Sequence, residues 1–237
     1  MTTERPAEKA RQVRAMFRRI VARYDLLNTL MSWGLDRHWR RMAVRMAEVG
    51  GSLVLDLATG TGELAFEALR QGAARVVGVD FAPEMLAVAA AKARRLGLSP
   101  PPDWVVGDAL NLPFADASFD VVVNGFLLRN LADLDLAFRE MYRVLKPGGR
   151  LVCLDAVEPD LGPLMPFYRL YFHRLVPLIG GLISGDPAAY AYLPASLKNL
   201  PQGTGLLKLM VAAGFKETRF RPLTLGLVAL YAGRRPP

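Results

Sequence analysis

Three aspartates follow apolar runs of the sequence, each where a buried strand is expected to end. Asp56 closes Leu-Val-Leu-Asp, Asp80 closes Arg-Val-Val-Gly-Val-Asp, and Asp108 follows the run 104–106 after one glycine. The carboxyl ends of parallel strands meet at one edge of a sheet, and α/β proteins bind their ligands there. The spacing therefore predicts several carboxylates that accept hydrogen bonds from one ligand.

A glycine turn, Gly60-Thr61-Gly62, follows the first of these strands and precedes an apolar-patterned helix. Glycine is typical where the backbone must pass close to a ligand. With Ala65, the turn fits the G-x-G-x-x-A pattern of dinucleotide-binding proteins, and Asp80 stands about 20 residues further on. A dehydrogenase is one interpretation, and a turn that binds nothing is another.

The charge beside the turn favours a different ligand. A pyrophosphate at a helix N-terminus requires donors and positive potential, whereas Asp56 places a carboxylate at this strand end. S-adenosylmethionine (SAM) has no phosphate, and it carries an ammonium group and a cationic sulfur. The acidic setting therefore favours SAM over a dinucleotide.

The composition limits the class of protein. A length of 237 residues, of which 52% are hydrophobic, is enough for one domain spanning 1–237. No apolar run reaches the roughly 18 residues of a membrane span, and the polar start lacks the apolar core of a signal peptide, so we expect a cytoplasmic protein. Cys153 is the only cysteine and there are two histidines, so we expect a core thiol and no metal site.

The positive charge is concentrated at the N-terminus. Residues 1–45 contain eleven Lys or Arg against four Asp or Glu, while the whole chain has a net charge of +8. Apolar residues in 6–22 follow the spacing of one helix stripe. We therefore predict a basic helical cap over 1–48, which either is a solvated surface or faces an anionic membrane, RNA or an acidic substrate.

The remaining pattern predicts an α/β, Rossmann-like fold. It is a seven-stranded, mostly parallel sheet with helices on both faces and a C-terminal antiparallel hairpin. A proline-, aromatic- and leucine-rich stretch, 160–202, is predicted to form an apolar lid; a helical insertion in the core is the alternative. Strands are expected at 53–56, 75–80, 104–106, 121–123, 150–155, 215–222 and 225–232, and helices at 83–96, 133–145 and 205–212.

Together, the Asp-x-Ala-x-Gly-x-Gly turn at 56–62, the acids at strand ends and Val-Leu-Lys-Pro-Gly-Gly at 144–149 resemble the class I SAM-dependent methyltransferases. A narrower resemblance is to the quinone-biosynthesis C-methyltransferases, which include demethylmenaquinone methyltransferase and the benzoquinol methylase of ubiquinone synthesis. The motifs that carry it are Tyr-Asp-Leu-Leu-Asn at 24–28, Ser32-x-Gly34 with Trp39-Arg40, Arg129-Asn130, and the stretches 185–196 and 223–230.

The resemblance implies roles for individual residues. Asp80 would accept hydrogen bonds from the ribose hydroxyls of SAM and Asp108 from its adenine amino group. Further cofactor contacts are implied for Asp56, Thr59, Gly60, Gly62, Ala109 and Gly125, and catalytic roles for Arg129, Asn130 and Tyr24. This chain departs from the family pattern in having Gly125-Phe-Leu-Leu where Ser-Phe-Gly-Leu is usual, Leu154-Asp-Ala-Val where Leu-Glu-Phe-Ser is usual, and Tyr231 where a histidine is usual.

The implied reaction is methylation of a ring carbon beside a phenolic hydroxyl, most closely demethylmenaquinol to menaquinol. Arg129 would stabilise the phenolate and Asn130 would hydrogen-bond the ring oxygen. The proton could leave to water, Tyr24, Asp25 or His38, which the sequence does not rank. A polyprenyl tail on the substrate would account for the apolar lid and the basic cap, and would bring the protein transiently to an anionic membrane surface as a peripheral protein.

Three other functions stay open from sequence alone. They are methylation of another small molecule, methylation of RNA through the basic cap, and SAM binding by a non-catalytic partner protein. The fourth strand lacks the Asp/Asn-Pro-Pro-Tyr end of amino-methylating enzymes, and it lacks the Pro-Cys pair of pyrimidine C5 enzymes, so nucleic acid is the less favoured acceptor. The sequence leaves open whether two copies form a homodimer.

Overall fold

The computed structural model, which describes residues 18, 21–184, 196–197 and 200–237, contains a seven-stranded sheet. The strand order is β3-β2-β1-β4-β5-β7-β6; β7 runs antiparallel to β5 and β6, and the other pairs are parallel. This confirms the predicted fold class. The strands are β1 (Leu53–Leu57), β2 (Arg75–Asp80), β3 (Asp103–Val106), β4 (Phe119–Gly125), β5 (Leu145–Ala156), β6 (Lys216–Leu223) and β7 (Val228–Arg234).

Eight α-helices occur among the described residues, and a π-helical turn, Tyr171–Leu175, joins the sixth to the seventh. They are α1 (Tyr24–Met31), α2 (Leu35–Ala47), α3 (Glu63–Arg70), α4 (Pro83–Arg95), α5 (Leu134–Val144), α6 (Met165–Leu170), α7 (Val176–Ser184) and α8 (Thr204–Ala212).

The alternation of side chains along β1 separates two apolar cores. Leu55 faces the core that contains Phe138 of α5 and Met210 of α8. Val54 faces the other core, which contains side chains of α2 and α3 such as Ala65. The helices therefore cover both faces of the sheet, and the carboxyl edge between them is left for a site.

Two strands begin three or more residues away from the positions that the sequence predicts. Strand β5 begins at Leu145 rather than at residue 150, because Leu145 pairs with Phe119 before the glycines bulge out of register. Strand β7 begins at Val228 rather than at residue 225, because Leu225 and Gly226 have φ values of +55° and +82°. Such a left-handed turn cannot continue a strand.

Three prolines of the predicted lid, Pro163, Pro166 and Pro177, lie within helical segments of the described chain. Pro163 and Pro166 lie in the first turns of a 3-10 helix and of α6, where the missing N–H is tolerated, and Pro177 is the second residue of α7, directly after the π-helical turn. Helix α7 packs against α1. Most of the predicted cap helix at 6–22 and the motif segment 185–195 lie outside the described residues.

Candidate functional site

Three adjoining cavities lie at the carboxyl edge of the sheet. The acid-lined cavity, of about 290 Å³, has Asp80, Asp108 and Ala109 in its wall. The junction cavity, of about 50 Å³, shares Asp80 with it and adds Gly60, Gly125 and Tyr24. The lid cavity, of about 180 Å³, lies between α1, α2 and the lid helices. Because each cavity shares wall residues with the next, the three lie side by side along this edge, and together they are called the trough.

Asp80 fastens the glycine turn to the end of β2. The Gly60 N–H donates to its Oδ2 at 2.8 Å, and the Ala82 N–H donates to its Oδ1 at 2.9 Å. Burial raises the pKa of Asp80, and the two backbone hydrogen bonds oppose that rise. The Asp80 carboxylate thus binds the turn at Ala82 and also lines two of the cavities.

The two glycines of the turn are required for different reasons. Gly60 has a φ of +56° and open space where a Cβ would project, and it lines the junction cavity. Gly62 has a φ of +87°, and a Cβ there would lie 2.8 Å from Phe66 Cζ and 2.9 Å from Trp104 Cη2. Gly60 therefore leaves room for a ligand, whereas Gly62 is fixed by packing and lines none of the three cavities.

Asp56 lies beneath the turn and not at the mouth of the trough. Its side chain is 1% exposed and accepts a hydrogen bond from Thr59 Oγ1 at 2.5 Å. Burial raises the pKa of Asp56 to about 7, against the opposing hydrogen bond from Thr59. Asp56 shares its strand face with Val54, so it points towards the core under α2 and α3. Asp56 and Thr59 thus shape the turn from below.

Asp108 and Ala109 lie where the sequence predicts them, in the wall of the acid-lined cavity. Asp108 is exposed, and its Oδ1 accepts the Leu110 N–H at 2.9 Å. Two of the three strand-end acids, Asp80 and Asp108, therefore meet in one cavity. Gly125 lines the neighbouring junction cavity; a Cβ there would meet only Leu64 Cδ1, at 3.8 Å, so the loop has room for a serine as well as for glycine.

Tyr24 lines both the junction cavity and the lid cavity. The side chain of the next residue, Asp25, makes contacts outside its own helix. Asp25 accepts from Thr61 Oγ1 at 2.5 Å and pairs with Lys92 at 2.8 Å, and Lys92 also pairs with Glu63 at 2.5 Å. These contacts attach α1, and with it Tyr24, to the glycine turn.

Arg129 and Asn130 are neighbours in sequence but face different cavities. Arg129 lines the lid cavity and pairs with the fully buried Asp155, Nη1 to Oδ1, at 2.5 Å. Asn130 lines the junction and acid-lined cavities, and its Nδ2 donates to the Phe126 carbonyl at 3.0 Å. The buried Asn130 Oδ1 has no hydrogen-bond partner among the described residues. The two residues that the sequence analysis assigns to one substrate ring therefore line different cavities.

Sequence reasoning missed the contacts that organise the lid cavity. Phe126, whose φ of +61° is unusual for a bulky residue, lines the lid and junction cavities together with Tyr24. Asp36 forms a buried ion pair with Arg40 and also lines the lid cavity. The i,i+4 spacing of Asp36 and Arg40 is a local signal for their ion pair. No local pattern indicates that Asp36 and Phe126 border one cavity, because that depends on how α2 packs against the loop after β4.

Three other candidate residues lie away from the trough. His38 is exposed and lines none of the three cavities. Cys153 is buried in the sheet, where burial raises its pKa to about 12, as expected for a core thiol. Tyr231, which stands where the family has a histidine, is fully buried, and its hydroxyl accepts the Gly203 N–H at 3.3 Å.

The chain is similar in sequence to known proteins. The profile of the ubiE/COQ5 methyltransferase family matches residues 5–235. A demethylmenaquinone methyltransferase of Thermus thermophilus is 49% identical over 223 residues, which cover 93% of this chain and 100% of that protein. A ubiquinone/menaquinone biosynthesis C-methyltransferase UbiE of Rubrivivax gelatinosus is 41% identical over 96% of this chain and 88% of its own length.

Among solved structures, the fold is similar to a SAM-dependent methyltransferase of Thermotoga maritima. The TM-score is 0.65 at 20% sequence identity, and the match covers 94% of this chain and 99% of that one. At this identity the likeness concerns the fold and not the substrate.

The elevated pKa of Asp56 predicts a pH dependence of stability. Between about pH 4 and pH 7 the folded chain retains a proton on Asp56 that the unfolded chain has lost, so the Asp56 contribution to the free energy of unfolding falls as pH rises, by up to about 4 kcal/mol. Asp56→Asn should remove this decline relative to the wild type, measured by urea unfolding at several pH values.

The matched control is Asp135→Asn, because Asp135 is exposed and its substitution removes a carboxylate from the surface of α5. The same pH slope in Asp56→Asn, Asp135→Asn and the wild type would contradict the assignment of the raised pKa to Asp56.

Proposed function

We propose a function from the premise that the chain belongs to the ubiE/COQ5 methyltransferase family, as the match over residues 5–235 shows. In this proposal the chain methylates a carbon of a reduced polyprenyl quinone precursor. SAM is the methyl donor and demethylmenaquinol is the favoured acceptor. The name of the Thermus thermophilus relative, at 49% identity, supports this choice of acceptor.

The observation that carries the proposal is the trough of three cavities. An acidic end and an end lined by aromatic and apolar side chains meet at Tyr24 and Phe126, which line the junction cavity and the lid cavity alike. A methyl transfer needs two ligands with their reacting atoms in line and close together. We place the donor at the acidic end, the acceptor in the lid cavity, and the transfer at the junction.

The residues of the acidic end suit SAM. Gly60 leaves open space where any side chain would project. Asp80 and Asp108 offer carboxylate oxygens to hydroxyl and amino groups, and the buried Asn130 Oδ1 is a further acceptor at the junction. When bound, SAM supplies a methyl group already attached to a cationic leaving group, so the chain has to position the two ligands rather than activate the donor.

The lid cavity suits an aromatic ring with an apolar tail. Its wall includes Tyr168, Tyr171, Phe172, Val176 and Leu197, with Arg129 as a cation beside them. We propose that the Arg129 guanidinium, which is held by Asp155, donates hydrogen bonds to the ring oxygen as it becomes a phenolate. Asn130 lines the junction and acid-lined cavities and not the lid cavity, so we assign it to the cofactor.

The geometry reduces the number of candidate groups for accepting the phenolic proton of the substrate. Asp25 is engaged by Thr61 and Lys92, and His38 is exposed outside the trough. Tyr24 lies at the junction itself. We therefore propose that the proton leaves through Tyr24 or through water beside it.

A binding and transfer experiment tests the function. Isothermal titration should show SAM binding to the full chain, and labelled methyl should pass from SAM to a short-chain demethylmenaquinol kept reduced by dithionite. Total RNA, and SAM without an acceptor, serve as comparison reactions. Label in RNA alone would overturn the quinol assignment, and SAM binding without transfer to any acceptor would favour a non-catalytic binding protein.

Removing Arg129 should reduce turnover without weakening SAM binding. Loss of one charge-stabilising donor typically lowers kcat by about 100-fold, whereas SAM affinity should stay within about two-fold because Arg129 lines the lid cavity and not the acid-lined one. Arg129→Ala leaves the Asp155 carboxylate buried and unpaired, which destabilises a fold. Arg129→Met/Asp155→Asn removes both charges together and is the better variant.

Arg139→Ala, which removes an exposed guanidinium from α5, is the control. If the folded double variant turned over like the wild type, the role of Arg129 would be wrong.

We further propose that the chain is one catalytic domain, 1–237, whose cap (1–48) and lid (160–202) meet a membrane surface at the substrate entrance. Exposed apolar side chains on α1, on the turn after it and on α6 support this: Leu26 is 60% exposed, Trp33 81% and Phe167 70%. Trp33 Nε1 donates to the Tyr171 hydroxyl at 3.1 Å, which joins these segments. None of the described helices is long and apolar enough to cross a bilayer.

Vesicle binding tests the membrane proposal. The full chain should float with vesicles that contain anionic lipid and bind less to neutral ones, and Phe167→Ser should weaken the binding several-fold by removing inserted apolar area. The control is Leu96→Ser, because Leu96 is 57% exposed but follows the end of α4 at the opposite edge of the sheet. Equal loss of binding in both variants would contradict a surface at the lid.

A further inference from the structure

The lid cavity contains a second buried ion pair, which the proposed reaction does not use. Asp36 is 5% exposed and its partner Arg40 is 9% exposed, and both lie on α2. Ser32 Oγ donates to Asp36 Oδ1 at 3.1 Å and accepts the Asp36 N–H at 3.2 Å. The Asp36 side chain is therefore held in one orientation while it lines the cavity.

Stability alone does not account for this pair. Removing two charges from water costs about as much as their attraction returns, and apolar residues of similar size often stabilise a fold equally well. Asp36 borders a cavity whose wall otherwise consists largely of aromatic and aliphatic side chains. Arg40 and Ser32 each bind one oxygen of the Asp36 carboxylate, and each oxygen keeps a lone pair that can accept a further hydrogen bond from a molecule in the cavity.

The arginines of the two ion pairs both lie near one aromatic ring. The Cζ of Arg129 lies 5.2 Å from the centre of the Phe126 ring, and the Cζ of Arg40 lies 6.0 Å from it. Each arginine is neutralised by its own carboxylate, but the carboxylate of Arg129, Asp155, is fully buried and does not line the cavity. The cavity wall thus presents a guanidinium from one pair and a carboxylate from the other.

We propose that Asp36 accepts a hydrogen bond from the second hydroxyl of a dihydroxylated aromatic ring, and thereby selects the reduced over the oxidised substrate; this rests on the proposed function. A carboxylate is only an acceptor, so it pairs with a phenolic O–H. The carbonyl of an oxidised ring has no proton to donate and would bring its own lone pairs against the carboxylate. With Arg129 at the other ring oxygen, Asp36 also decides which ring carbon faces the junction.

A comparison of two acceptors tests this role. One is a short-chain 2-prenyl-1,4-dihydroxynaphthalene, and the other is 3-prenyl-1-naphthol, which keeps the hydroxyl beside the methylated carbon and lacks the second one. The quantity measured, with SAM as methyl donor, is the kcat/KM of the dihydroxynaphthalene divided by the kcat/KM of the naphthol. Their intrinsic difference in reactivity is the same for every variant, so a change in the ratio reports on the protein.

The ratio should fall by about 10- to 100-fold in variants that lose the carboxylate, which is the usual effect of a hydrogen bond to a charged group. Asp36→Asn keeps the side-chain shape, and Asp36→Leu/Arg40→Met removes the whole buried pair if the single variant folds poorly. Asp135→Asn, on the exposed face of α5, should leave the ratio unchanged.

An unchanged ratio in the folded Asp36 variants, with both acceptors methylated, would overturn the role of Asp36 and leave the proposed function intact. If the wild type methylated neither acceptor, the proposed function itself would fail, and this inference with it.

Discussion

The hydrogen bond from the Gly60 N–H to the Asp80 carboxylate joins the two halves of the site. It connects the glycine turn after β1 to the end of β2, at 2.8 Å. The two strands pair in parallel, so their carboxyl ends reach the same edge. The Thr59 N–H adds a second link to β2 by donating to the Val79 carbonyl at 2.9 Å, and together these bonds hold a turn in which Ala58 and Gly60 both have positive φ values. The position of every other site residue is set relative to this turn.

Helix α1 depends on the same turn through a second set of contacts. Asp25 binds Thr61 and Lys92, and Lys92 also binds Glu63. Tyr24 is thereby placed over the junction cavity by residues from α3 and α4. This coupling means that the segment bordering the proposed acceptor position is attached to the element bordering the proposed donor position, which suits a reaction that depends on alignment.

The site contains several buried carboxylates, and each is stabilised differently. Asp80 receives backbone N–H groups, Asp56 receives a hydroxyl hydrogen bond and has a pKa raised by burial to about 7, and Asp36 and Asp155 pair with arginines. A buried carboxylate must be neutralised or hydrogen-bonded. These arrangements consequently determine which carboxylates stay available to a ligand, and only those that also border a cavity can act on one.

The sequence by itself determined the fold class, the strand ends and the glycine turn, because period, apolar runs and glycine are local properties of the chain. It also placed Asp80 and Asp108 in one crevice, since parallel strands must end at one edge. Only the tertiary structure decided that Asp56 points under the turn, that Asn130 and Arg129 face different cavities, and that Asp36 borders the lid cavity. Those outcomes depend on which side of a strand or loop faces a helix from elsewhere in the chain, and such packing leaves no local pattern.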